Sequence, residues 1–185
     1  HLAVGAQAYT RLPELLENVG PGRPQILALE PDDFSRDKIF GHQPGKVSAF
    51  VNILFGCNRG CSYCVVPRVR GSERSRYAAS VLGEVRALTA GGVREVVLLG
   101  QSVTAYGRRS GASVDLPESP MGLREPFPRL LEAVAAVPGI ARVRFTSGHP
   151  SGCTDELARV MAAAPAICPH LHLPLQSGSD RILFL

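Results

Sequence analysis

Three cysteines stand within eight residues, as Cys57-x3-Cys61-x2-Cys64, inside the stretch GCNRGCSYCVVPRVRGSERSR at 56–76. Clustered thiolates are ligands for soft and borderline metals. Structural zinc wants four ligands, usually as two closely spaced pairs. No fourth Cys or His lies close by; the nearest is His42. Three thiolates suit a [4Fe–4S] cluster in which the chain holds three irons and leaves the fourth open. An open iron can take a small molecule that presents an amine and a carboxylate. Two other readings stay open, namely zinc with a distant fourth ligand and inert thiols. Inert cysteines tend to sit singly in cores, whereas these lie in a loop that also carries Gly56 and Gly60.

Behind the thiols runs a basic stripe. Arg59, Arg68, Arg70, Arg74 and Arg76 face a single acid, Glu73, a local excess equal to the net charge of +4 carried by all 185 residues. Such a stripe suits an anionic ligand or a nucleic-acid backbone, and a solvated basic loop is the plainer alternative. The chain contains five cysteines. That odd number and their uneven spacing argue against a disulfide framework and for a reducing compartment. No basic-then-apolar leader is visible and no apolar run nears the roughly 18 residues of a membrane span. A cytoplasmic setting is expected, or an organellar one if the chain is eukaryotic.

Positioning these groups requires a scaffold, and the chain has the rhythm of one. Residues 1–20 read as the tail of a preceding domain, with a short helix begun near Pro13 and stopped by Gly20. Residues 21–46, rich in proline, read as a linker with one short strand at 26–29. From Val47 apolar runs alternate with helical spacing: a strand at 47–55, a helix at 78–90, a strand at 93–100, a helix at 127–137, a strand at 141–147, a helix at 154–164 with Thr154 as its N-cap, a strand at 170–176 and a helix from Asp180. A long Gly/Ser/Pro-rich excursion over 103–126 is expected to be mobile. Short strands alternating with helices predict an α/β fold with parallel strands. About four βα units are too few for a closed eight-stranded barrel of roughly 250 residues, so the sheet is open or part of a barrel. The polar residues gather after the strands: the cysteines, then Gly100, Gln101 and Ser102, then Ser147 and His149, then Gln176 and Ser177. That is the end where α/β folds bind ligands. His170 and His172 would share a strand face, but a metal site there would need more ligands.

The ordered segments GCNRGCSYCVVP, RGSERSR, GGVREVVLLGQSVTAYG, RVRFTSGHP and HLPLQSGSDRIL resemble the methylthiotransferase family of the radical S-adenosylmethionine superfamily, and most of all its tRNA-adenosine branch. The resemblance covers about residues 45–185, and residues 1–20 are similar to the end of that family's N-terminal domain. It implies an incomplete (β/α) barrel over 47–185, truncated to about four units. It implies that Cys57, Cys61 and Cys64 hold the cluster and that S-adenosylmethionine binds its open iron. Tyr63 would lie near the adenine, with Gly100 and Gln101 near the methionine part and Ser147, Gln176 and Ser177 at the mouth. Turn capping is the plainer role for these residues. Arg68, Arg70, Arg74 and Arg76 would meet the cofactor carboxylate or RNA phosphates. No separate catalytic acid or base is implied.

The implied activity is methylthiolation of an N6-modified adenosine in tRNA, beside the anticodon, with electrons from an external flavodoxin- or ferredoxin-type donor and no membrane partner. A second [4Fe–4S] cluster belongs to the family's N-terminal domain, and no second cysteine trio occurs here; Cys153 and Cys168 read as core or surface thiols. These residues alone are therefore expected to bind and cleave the cofactor without completing the reaction. The alternatives are a ribosomal-protein substrate, a threonylcarbamoyl-adenosine substrate, or a non-catalytic iron–sulfur or zinc module. The chain departs from the family pattern at Arg68 and Val69, at Tyr77 after the SR pair, at Ser102 where asparagine is usual, and at Gly148 before His149-Pro150.

Overall fold

The computed structural model describes residues 1–5, 8, 11–29, 45–108 and 115–184. The expected linker falls partly outside these residues, as does the centre of the 103–126 excursion.

The N-terminal residues build a small unit. Strand β1 (Leu2–Val4) is followed by helix α1 (Leu12–Glu17), with Pro13 in its first turn, and by β2 (Ile26–Ala28). The two strands pair in parallel, Leu2 opposite Ile26 and Val4 opposite Ala28. Their apolar side chains close over Ala8 and Leu15 in a separate small core. The strand expected inside the linker is thus the partner of β1.

The main layer begins with β3 (Ser48–Asn52). The apolar run 47–55 is split rather than continuous. After β3, Ile53 donates to the Leu99 carbonyl at 2.9 Å, and the next two residues form β4 (Leu54–Phe55). Helix α2 (Val66–Arg70) and strand β5 (Arg74–Ser75) follow. β4 and β5 pair antiparallel, Leu54 opposite Ser75 and Phe55 opposite Arg74. One apolar run therefore serves two sheets.

Helix α3 (Ala78–Ala90) buries Val81, Leu82, Val85 and Leu88, the face its 3.6-residue period marks out. Strand β6 (Glu95–Leu99), helix α4 (Pro126–Ala135), strand β7 (Arg142–Phe145) and helix α5 (Asp155–Ala163) come next. Thr154 caps α5 as expected, its hydroxyl accepting the Leu157 N–H at 3.3 Å. The three-stranded sheet runs β3-β6-β7, parallel throughout. α3 packs on β3 and α4, and α4 on β7 and α5. Strand order follows chain order and the helices touch in series, so the chain winds in one direction. A doubly wound sheet would reverse. Among the described residues the sheet does not close into a barrel.

The core lies between these layers. Val51, Leu98, Val143 and Phe145 from the strands meet Val85, Leu130, Leu131 and Val160 from the helices, and Phe127 meets Phe145 edge to face at 5.2 Å. The start of the excursion belongs to this core. Val103–Ala105 forms a 3₁₀ turn and Tyr106 is fully buried.

The strand expected at 170–176 does not form. Only Ile167 bridges β7, at Val143, and residues 168–177 run irregularly to α6 (Asp180–Leu183). Pro169 and Pro174 carry no N–H and cannot donate to a ladder. His170 N–H turns back to the Cys168 carbonyl at 2.7 Å instead. The two histidines thus share no strand face.

Candidate cofactor site at the carboxyl ends of the strands

The cysteine loop is an excursion pinched at its base. The β4–β5 ribbon closes it, Cys57 N–H donates to the Gly71 carbonyl at 3.1 Å, and Glu73 N–H donates to Asn58 Oδ1 at 3.0 Å. Gly56 makes this closure possible. Its φ is +70°, and a Cβ there would lie 2.2 Å from the Ser72 carbonyl oxygen. Within the loop Cys57 is buried, Cys64 half-buried and Cys61 exposed. The Cys57 sulfur accepts the Arg59 N–H at 3.4 Å, and Cys64 N–H donates to the Cys61 carbonyl at 3.0 Å.

All five cysteines are free thiols. Among the described residues no three His, Cys, Asp or Glu side chains converge as ligands of one ion. Three cysteine thiols on one anchored loop are the donor set that a [4Fe–4S] cluster takes from a protein. Cys153, exposed beside the His149 carbonyl, and Cys168, half-buried after Ile167, lie on other elements.

The loop after β6 packs against β4 and β5 at the base of the cysteine loop. Gly100 allows its exit strand to touch β4, since a Cβ there would stand 3.1 Å from Leu54. Gln101 is exposed and Ser102 buried. Tyr106 donates its hydroxyl to the Arg76 carbonyl at 2.8 Å, and Gly107 N–H donates to Ser75 Oγ at 2.9 Å. A small polar pocket of about 90 Å³, lined by Asn58, Arg59, Glu73, Ala105 and Arg108, lies between the two loops.

After β7 the backbone is strained. Ser147 has φ +58°. Its carbonyl accepts the Val103 N–H at 3.2 Å, and its own N–H donates to His172 Nδ1 at 3.3 Å. His149 N–H donates to Thr104 Oγ1 at 3.0 Å. Burial, then the neighbouring Arg59 charge, lowers the His149 imidazole from its ordinary value.

The fourth contribution comes from the irregular segment. Gln176 also has a positive φ, +69°. Its Oε1 accepts a short hydrogen bond from the Tyr63 hydroxyl. Tyr63 is itself exposed, and partial desolvation followed by the adjacent Cys61 and Cys64 raises its phenol above the usual value. Ser177 Oγ accepts the Ser179 N–H at 3.1 Å, a capping contact before α6. Non-glycine residues with positive φ are uncommon and gather at functional sites. Both are residues singled out by following apolar runs of the sequence.

The arginine stripe divides. Arg68 and Arg70 project from the exposed turn of α2. Arg74 is half-buried, and burial lowers its guanidinium from the ordinary value. Arg76 turns inward, to Glu84 at 2.6 Å, the Asn52 carbonyl at 2.7 Å and Ser80 Oγ at 3.0 Å. Sequence reasoning missed His172, Thr104, Tyr106 and Glu84 as the residues that hold this end together. A larger, mostly apolar hollow of about 510 Å³ lies against α5, lined by Leu157, Met161, Pro169 and Leu171. It has none of the three clustered cysteines in its wall.

Comparison with known proteins agrees with this architecture. A family model described as the radical SAM superfamily matches residues 51–185. The chain is 46% identical over 187 residues to a tRNA-2-methylthio-N(6)-dimethylallyladenosine synthase of Bacteroides thetaiotaomicron, covering 100% of this chain and 39% of that one. It is 44% identical over 178 residues to the enzyme of the same name from Aquifex aeolicus, covering 95% and 38%. The chain thus spans about two fifths of the length of these relatives. Among solved structures, a radical S-adenosylmethionine methyltransferase, TsrM, from Kitasatospora setae superposes with a TM-score of 0.64 at 16% identity, covering 97% of this chain and 38% of that one. This likeness concerns the fold. No helix among the described residues is long and apolar enough to cross a membrane.

Proposed function

Because the chain belongs to the radical SAM superfamily, we propose that it forms the cofactor-binding core of a tRNA methylthiotransferase acting on an N6-modified adenosine. The observation that carries this is the pinched loop, which presents Cys57, Cys61 and Cys64 as free thiols beside the strand ends. Cys57, Cys61 and Cys64 would hold a [4Fe–4S] cluster. When bound, the cluster and S-adenosylmethionine supply a one-electron cleavage of the sulfonium to a deoxyadenosyl radical; the protein's part is to bind, orient and shield.

Tyr63, tethered to Gln176, would lie near the adenine of bound S-adenosylmethionine. Gly100 and Gln101 would take its methionine part, and Ser147, Gln176 and Ser177 would border the mouth. Arg68 and Arg70, exposed on α2, face RNA phosphates. Arg74, half-buried, suits the cofactor carboxylate. Arg76 is a positioning residue, its guanidinium directed to Glu84. Residues 47–185 form an incomplete (β/α) barrel whose fourth strand is replaced here by the 168–177 segment. Residues 1–20 close a preceding domain, to which β2 is joined by pairing. That domain would hold a second [4Fe–4S] cluster, and an external donor would supply electrons. The names of the relatives favour tRNA adenosine over a ribosomal protein, and a cytoplasmic setting accords with that substrate.

The test is anaerobic reconstitution of the full-length protein. Replacing the three cysteines by alanine should remove about four irons per chain. In the wild type, S-adenosylmethionine should alter the EPR signal of the reduced cluster, and nucleoside analysis of tRNA from a deletion strain should show the methylthio group missing. An unchanged iron content in the triple variant, or a signal indifferent to S-adenosylmethionine, overturns the proposal.

A further inference from the structure

The 168–177 segment holds the β7 end through one residue. His172 Nδ1 accepts the Ser147 N–H at 3.3 Å, and the His172 carbonyl accepts the Gly148 N–H at 3.2 Å. Two consecutive amides at the end of β7 thus end on the ring and the backbone of the same residue. Gly148 permits the approach, because a Cβ there would stand 3.0 Å from the His172 carbonyl oxygen. The left-handed conformation of Ser147 costs about 1 kcal/mol or more for a residue with a side chain and persists only where neighbours hold it. Ser147 is held by His172 Nδ1 on its N–H and by the Val103 N–H on its carbonyl, and the adjoining Gly148 amide is held by the His172 carbonyl. Four residues beyond His172, Gln176 takes the Tyr63 hydroxyl from the cysteine loop. One short segment therefore connects the cysteine loop to the end of β7.

We propose that His172 is a positioning residue for the cofactor site: its Nδ1 lone pair holds the Ser147 backbone in place and so sets the shape of the mouth that receives S-adenosylmethionine. This rests on the reading that the mouth binds that compound. The role needs a neutral ring with an unprotonated Nδ1, since only that atom reaches the Ser147 amide as an acceptor. An asparagine carboxamide oxygen lies near the place of Nδ1, whereas a glutamine oxygen lies near that of Nε2.

The full-length protein, reconstituted with iron and sulfide, is titrated with S-adenosylmethionine in four forms: wild type, H172A, H172Q and H172N. H172A and H172Q should bind about fivefold more weakly, the scale of one lost hydrogen bond, with iron content equal to wild type. H172N should stay within about twofold. Equal affinity in all forms, or H172N falling as far as H172A, overturns the role of His172 while leaving the site itself standing. A wild type with no affinity overturns both. Should H172A fail to fold, the comparison of H172N with H172Q carries the test: wild-type-like affinity in H172N beside a loss of about fivefold in H172Q is expected, and equal affinity in the two overturns the proposal.

Discussion

Arg76 and Glu84 form an ion pair 2.6 Å apart in the interior, their side chains 4% and 2% exposed. Arg76 stands just after β5, and its carbonyl takes the Tyr106 hydroxyl. Glu84 comes from the core face of α3. The pair therefore ties the base of the cysteine loop to the first helix of the main layer. Removing one partner leaves the other charge buried, which costs about 3–5 kcal/mol. E84A should lower stability by that amount in urea denaturation. R76M/E84L should lose much less than the two single changes together. Equal losses in E84A and the double variant would show that packing, not the stranded charge, sets the cost.

Gly56 should tolerate no side chain. Gly56→Ala would place a methyl group 2.2 Å from the Ser72 carbonyl oxygen at a φ of +70°. The contact is a Cβ against a backbone carbonyl, so no rotamer relieves it. The expected outcome is opening of the loop base, with iron uptake by the three cysteines falling well below wild type. Gly60→Ala serves as the control, since nothing lies within 4 Å of a Cβ there, and should take up iron normally.

Acid should loosen the layer at Glu156. Its Oε2 accepts the N–H groups of Arg124 and Glu125, each at 2.8 Å. The Glu125 amide first, then the Arg124 amide and the Arg159 charge, hold its carboxyl below the ordinary value of 4.5. A carboxylate depressed on folding stabilises the native state above its unfolded pKa, and that contribution is lost as pH falls through the folded one. Wild type should exceed E156Q by about 1 kcal/mol near neutrality, with the margin shrinking as pH drops below about 4.5. Thermal melts of both proteins across that range check it; a margin independent of pH would refute the assignment.

Where local pattern decides structure, the chain was readable. The helix expected at 78–90 is α3, Ala78–Ala90, because Val81, Leu82, Val85 and Leu88 mark a single buried face. Thr154 was legible as a cap for the same local reason. What was hidden depends on distant partners. Asp115 accepts the Ala78 and Ala79 amides at 3.1 and 2.9 Å, capping α3 from 37 and 36 residues away. The alternation in HLHLPLQ looks like a strand, yet Pro169 and Pro174 deny it donors. The arginine run looks uniform in sequence, and only the fold sends Arg76 inward and leaves Arg68 and Arg70 outside. Positions 100, 101, 147, 176 and 177 were picked out by standing after apolar runs. The placement of 100, 101 and 147 follows from the one-way winding of β6 and β7, whereas 176 and 177 stand on an irregular segment.

The twisted backbone at Ser147 and Gln176 bears on any attempt to harden this protein for use. A programme that ranks substitutions by melting temperature would reach for glycine at both places, since each would relieve about 1 kcal/mol of conformational cost. The chain carries a hydroxyl and a carboxamide there. A heat-resistant version obtained in that way would have traded away the Tyr63 tether along with the strain.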